Sequence, residues 1–124
     1  FGLVLGGGNT QRIPRVMGVK RGLAHILTGE WLSGKEAERL GLVSKAVSAD
    51  KLEEATMEVV NNLLLKSQIA SRTIKNLVYW GMQGDINTGL KLELFGVTQP
   101  FFSEDCREGL DAFVGKRQPK FKGN

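Results

Sequence analysis

Apolar side chains recur at helical spacing along most of this chain. Leu52, Ala55, Val59 and Leu63 lie three or four apart and predict a helix running to about Lys66. Ile69, Ala70, Ile74, Leu77 and Val78 predict a second over 69–80, punctuated afterwards by Gly81, Gly84 and Asp85. Leu90, Leu94, Val97 and Phe101 make the next stripe. Pro100 should bend or break it, because proline removes one backbone hydrogen bond and clashes with the preceding turn. A shorter stripe, Gly22, Leu23, Ile26 and Leu27, predicts a helix over 19–27 that Gly29 is placed to end. Ahead of it, 10–13 reads as a helix start with Pro14 in the first turn, where the missing N–H costs nothing.

Polar residues mark the ends of these elements. Ser33 and Glu36 have the spacing of a capping box, and Gly41 fits the stop of the short helix that follows. Asp50 and Glu53 repeat the cap ahead of Leu52. Ser103 caps a last helix, with Glu104 and Asp105 in its first turn and Lys116 and Arg117 in its last, both complementing the helix dipole. Leu110 and Phe113 are expected to pack inward, and Pro119 to end the element. Two stretches read as strand or extended edge: 1–5, and 42–47 with its two valines. The expected fold is mainly α with one or two short strands, too few for a sheet of its own. There is no internal repeat and no flexible linker.

Length and charge sharpen this. A chain of 124 residues, 41% hydrophobic, suffices for one domain with a core and is short for two. Of 17 basic and 13 acidic residues, Lys116, Arg117, Lys120 and Lys122 fall in the last ten, which hold no acid. The first 114 residues therefore balance, 13 against 13. A neutral body with a basic tail is not the basic surface of a nucleic-acid-binding domain. The single Cys106 cannot form an internal disulfide, so a reducing compartment is expected. No apolar run approaches the ~18 residues of a membrane span, and no signal peptide is expected. The chain opens without methionine on an apolar stretch that runs into Gly6-Gly7-Gly8, which reads as a strand entered midway.

No complete catalytic constellation emerges from these residues. Three glycines before Asn9 let a ligand approach the main chain, and a helix N-terminus behind them would add donors. The Rossmann and P-loop spacings are absent, however, and a plain strand-to-helix turn explains the same residues. His25 is the only histidine and has no Ser, Cys or Asp placed as a relay. Cys106 lies beside Glu104 and Asp105, which oppose a reactive thiolate. One His and one Cys cannot build a typical zinc site, so no metal is expected. Glu36, Glu38, Glu53, Glu54 and Glu58 read as solvated helix faces. The tail from Phe113 to Lys122 mixes rings and cations. That suits a phosphate joined to a stackable base, and equally an ordinary basic terminus.

Three segments carry a resemblance. Residues 6–18, Gly-Gly-Gly-Asn-Thr-Gln-Arg-Ile-Pro-Arg-Val-Met-Gly, resemble the G-A-G-G-T-Q-R-L-P-R-x-x-G of the crotonase, or enoyl-CoA hydratase/isomerase, superfamily. Leu27-Thr28-Gly29-Glu30 and, a few residues on, Ser33 to Val43 are similar to its L-T-G and A-x-E-A-x-x-L-G-L-V. Ser103 to Phe121 is similar to its closing E-D-x-x-E-G-x-x-A-F-x-x-K-R-x-P-x-F. The resemblance is to the C-terminal half alone. It implies the C-terminal part of the ClpP/crotonase-like fold: 1–48 the tail end of the ββα spiral core, 49–124 a helical oligomerisation region. It implies an acyl-CoA substrate, no cofactor beyond the coenzyme A of that substrate, a homo-trimer or dimer of trimers, and a cytoplasmic or mitochondrial-matrix location. The amide of Gly6 would help position water or substrate. Phe113 and Lys116 would contact the coenzyme A of a neighbouring subunit. The oxyanion-hole amides and paired glutamates of a hydratase would precede Phe1, so the chain by itself is expected to be inactive. Asn9 for the last glycine of the G-A-G-G, and Leu5 where proline is common, leave open which reaction it serves. A non-catalytic helical interaction module is the alternative, and nucleic-acid binding rests only on the tail.

Overall fold

The computed structural model describes residues 2–124. Helix α1 (Asn9–Met17) follows the glycine loop, and α2 (Val19–Thr28) returns against it. Next come α3 (Gly34–Arg39), a 3-10 turn (Ala49–Lys51), α4 (Leu52–Leu64), α5 (Gln68–Gly81), α6 (Ile86–Gly96), α7 (Thr98–Phe101) and α8 (Glu104–Val114). The chain divides into two compact units, Phe1–Ala55 and Thr56–Asn124, with the division inside α4. No strand occurs among the described residues. Residues 2–5 and 45–48 are irregular and 42–44 bend, because neither expected strand finds a ladder partner; Phe1 lies outside the described residues.

In the first unit, α1 and α2 pack through Gly22. A β-carbon there would lie 2.7 Å from Pro14 Cα and 3.0 Å from Pro14 N. Only glycine admits that approach of backbone to backbone. Pro14 is therefore not a first-turn residue. The helix starts earlier than expected, at Asn9, and Pro14 sits inside it. Gly29 ends α2 as expected, in the left-handed region at φ 66, its N–H donating to the His25 carbonyl. Helix α3 closes on a Schellman turn: Gly41 N–H donates to Glu38 O (3.0 Å) and Leu42 N–H to Ala37 O (2.8 Å). Ser33 caps α3 by accepting from Glu36 N–H at 3.2 Å. The Glu36 carboxylate turns instead to Arg39, whose Nε donates to it at 3.0 Å.

In the second unit, α5 pairs with α6, and α7 joins both and α8. Asp85 caps α6, its carboxylate accepting from Asn87 N–H (2.9 Å) and Thr88 N–H (3.2 Å). The expected break near Pro100 falls at Val97, so that Pro100 occupies the first turn of α7, where its lost N–H is harmless. Ser103 caps α8 as expected.

The expected core is not present in the chain by itself. Among the described residues, Ala112 is the buried hydrophobic residue, with Gly22, Ser67 and Asp105 also buried. The apolar stripes of α4, α5 and α6 leave Leu63, Ile74, Val78 and Leu90 more than half exposed. Leu110 and Phe113, expected to pack inward, are exposed instead, because the buried face of α8 is the one that carries Asp105 and Ala112.

Candidate functional site

The polar groups of the second unit converge at α8. Asp105, in its first turn, is 2% exposed. One carboxylate oxygen accepts from Ser67 Oγ at 2.7 Å. The other accepts from Lys122 N–H (2.7 Å) and Gly123 N–H (3.1 Å). The Asp105 N–H in turn donates to the Asn124 carbonyl at 3.2 Å. Burial pushes the Asp105 carboxyl up, but the bonds from Ser67, Lys122 and Gly123 outweigh it and hold it below the usual range. One side chain thus ties the end of the chain to the N-terminus of α5, since Ser67 is also the cap of α5 and accepts from Ala70 N–H at 3.3 Å.

One turn further along, Glu108 accepts from Arg117 Nη1 at 2.6 Å and Nη2 at 2.7 Å, a two-pronged pair. It also accepts from Lys120 N–H at 2.7 Å. The Arg117 guanidinium, then the Lys120 amide, bring its carboxyl down to about 2, so it is charged throughout the neutral range. Arg117 and Lys116 do not lie in the last turn of α8 as expected. The helix ends at Val114 and the chain folds back over it.

That return sets the position of two residues singled out from sequence. Lys116 N–H donates to the Phe113 carbonyl at 3.2 Å, and Arg117 N–H to the Ala112 carbonyl at 3.0 Å. Phe113 and Lys116 therefore share one turn at the end of α8, both exposed, with Phe113 at 83%. The basic tail is not a free cluster: Arg117 pairs with Glu108, and Lys122 Nζ lies 3.9 Å from Glu104.

In the first unit, the Gly6 carbonyl accepts from Asn9 N–H (3.2 Å) and Asn9 Nδ2 (3.0 Å). The Gly6 amide donates to no group among the described residues. Asn9 thus locks the loop that a glycine at its place would leave looser. His25 is half-buried in α2 and Cys106 half-buried in α8. No group of three or more His, Cys, Asp or Glu residues able to hold a metal occurs among the described residues. Sequence reasoning missed Ser67 and gave Asp105 only a dipole role. The signal for Glu108 was present in the spacing of the closing motif.

The enoyl-CoA hydratase/isomerase family model matches residues 1–124. The chain belongs to this family. It is 37% identical over 126 residues to the mouse mitochondrial enoyl-CoA hydratase domain-containing protein 2, covering 98% of this chain and 43% of that protein. It is 33% identical over 121 residues to the crotonyl-CoA hydratase of Syntrophomonas wolfei, covering 98% and 46%. The enoyl-CoA hydratase of Bacillus anthracis superposes with a TM-score of 0.94 at 37% identity, over 99% of this chain and 48% of that one. The chain spans about half the length of these relatives. As an enoyl-CoA hydratase/isomerase family member it represents the C-terminal, helical part, and the expected family and mainly α fold class are borne out, without the short strands.

Proposed function

We propose that this chain is the coenzyme-A-contacting and subunit-contacting part of an enzyme that hydrates 2-enoyl-CoA thioesters. The observation that carries the reading is the exposed pair at the end of α8. A ring at Phe113 and an ammonium at Lys116, on one turn, suit an adenine and its phosphates. The undonated Gly6 amide supports a role in positioning water or substrate. Oxyanion-hole amides would stabilise charge on the thioester oxygen in a low-dielectric site. Two glutamates would deliver the water across the double bond. This reading assigns both to the part of the protein outside these residues, with no cofactor besides the substrate's own coenzyme A. It places the enzyme in the cytoplasm or the mitochondrial matrix. Among the described residues no helix is long and apolar enough to cross a membrane.

The test compares the chain alone with the full-length protein on crotonyl-CoA, following loss of the conjugated thioester and identifying the product by mass, since hydration adds one water and isomerisation adds none. The chain alone should not turn over and the full-length protein should. Turnover by the chain alone, or isomerisation without hydration by the full-length protein, would overturn the reading.

The leading reading includes assembly as a homo-trimer or dimer of trimers; a second reading is a non-catalytic helical oligomerisation or interaction module. It is favoured by the apolar side chains of α4, α5 and α6 that stand exposed in the chain by itself.

A further inference from the structure

Helix α8 ends in a Schellman turn whose left-handed position is filled by a lysine. That slot favours glycine, and α3 of this chain puts Gly41 there at φ 77. Lys116 sits at φ 49, the one positive-φ residue other than glycine among the described residues. Gly115 stands one position too early, at φ −76. A β-carbon in the left-handed region crowds the following carbonyl oxygen, so the lysine is held against its own preference.

Besides the backbone bonds of the turn itself and the Asp105 anchor further along the tail, Glu108 fixes the residues that follow. Its carboxylate grips the guanidinium of Arg117, the next residue, through both Nη atoms, and the backbone N–H of Lys120. With 117 and 120 pinned to α8, the chain must reverse between Val114 and Arg117, and Lys116 becomes the apex. The same grip neutralises Arg117 and occupies Glu108, whose charge would otherwise repel an anion. Lys116 enters no ion pair among the described residues. Lys116 is therefore an available cation on the turn that also carries Phe113. The Lys120 ammonium likewise enters no ion pair among the described residues, but it belongs to the returning stretch of tail and not to that turn.

We propose that Glu108 is a positioning residue for a phosphate-bearing ligand: by clasping Arg117 and the Lys120 amide it holds Lys116 in the left-handed turn and presents its ammonium beside the Phe113 ring to the phosphates of an acyl-CoA. This rests on the reading of Phe113 and Lys116 as coenzyme A contacts. Local order of the turn, not merely its charge, then sets affinity.

The test is calorimetric titration of the full-length protein with coenzyme A, arranged as a double-mutant cycle. Lys116→Gly suits the left-handed slot while removing the ammonium. It should weaken binding by about tenfold, as the loss of one charged phosphate contact does, without lowering the thermal midpoint. Glu108→Gln should weaken binding by about threefold or more in the native background and by less than about twofold once Lys116 is glycine. Arg117→Lys keeps the charge but loses the two-pronged geometry and should follow Glu108→Gln. It carries the cycle if Glu108→Gln folds too poorly to titrate. An equal loss from Glu108→Gln, or from Arg117→Lys, in both backgrounds would make the clasp merely structural and overturn the proposal. No loss from Lys116→Gly would instead defeat the reading of Lys116 as a phosphate contact, and the proposal with it.

Discussion

Asp105 satisfies Ser67 and two tail amides at once, and removing an acceptor from such a set leaves buried donors unpaired. Asp105→Asn keeps the shape but halves the acceptors and loses the charge. It should destabilise the protein by about 2 kcal/mol, the range for hydrogen bonds to a charged group, read as a lower denaturation midpoint in urea. A midpoint unchanged from the native protein would show that the tail is not anchored there. From sequence alone a first-turn acid such as Asp105 is expected only to complement the helix dipole. Its partners lie 38, 17 and 18 residues away, at distances local pattern cannot reach.

At the scale of elements, the helices were legible where their cause is local. Ser33 and Ser103 were recognised as caps because a cap needs only a hydroxyl and an N–H three residues on. Gly29 and Gly41 were recognised as stops because a left-handed turn selects glycine. The crossing of α1 on α2 was not legible. By spacing Gly22 belongs to an apolar stripe, whereas its role is to admit the Pro14 backbone. Gly22→Ala would place a methyl 2.7 Å from Pro14 Cα, against backbone that cannot swing aside. The two helices must part, at a cost of roughly 1–3 kcal/mol for overpacking. A lower thermal midpoint should result. An alanine tolerated without loss would mean the crossing is looser than the structure has it.

At the scale of the whole molecule, apolar surface outruns what the chain covers. Val59, Leu63, Ile74, Val78, Leu90 and Leu94 are each at least half exposed, on helices whose sequence pattern is that of a buried face. Burial of apolar area is the main favourable term in folding and association. The purified chain should therefore self-associate, and sedimentation velocity should show species larger than its 13.6 kDa mass. A clean monomer at micromolar concentration would sink the oligomerisation reading of these faces. The expectation of a self-contained core rested on length and composition, which count apolar residues without saying what they face.

The sequence by itself determined where most of the helices lie, the serine caps Ser33 and Ser103 though not the Ser67 cap, and, through three motifs in order, the family. Each of these depends on residues within about one or two turns of one another, or on a pattern that needs no coordinates. The cap expected at Asp50 is absent, since Asp50 lies inside the 3-10 turn. Only the tertiary structure decided which side chains are covered, that Pro14 lies inside a helix against Gly22, and that Asp105 and Glu108 draw the tail back onto α8. Those outcomes depend on groups far apart in the chain, and a hydrogen bond or a van der Waals contact acts only between atoms that folding has already brought together.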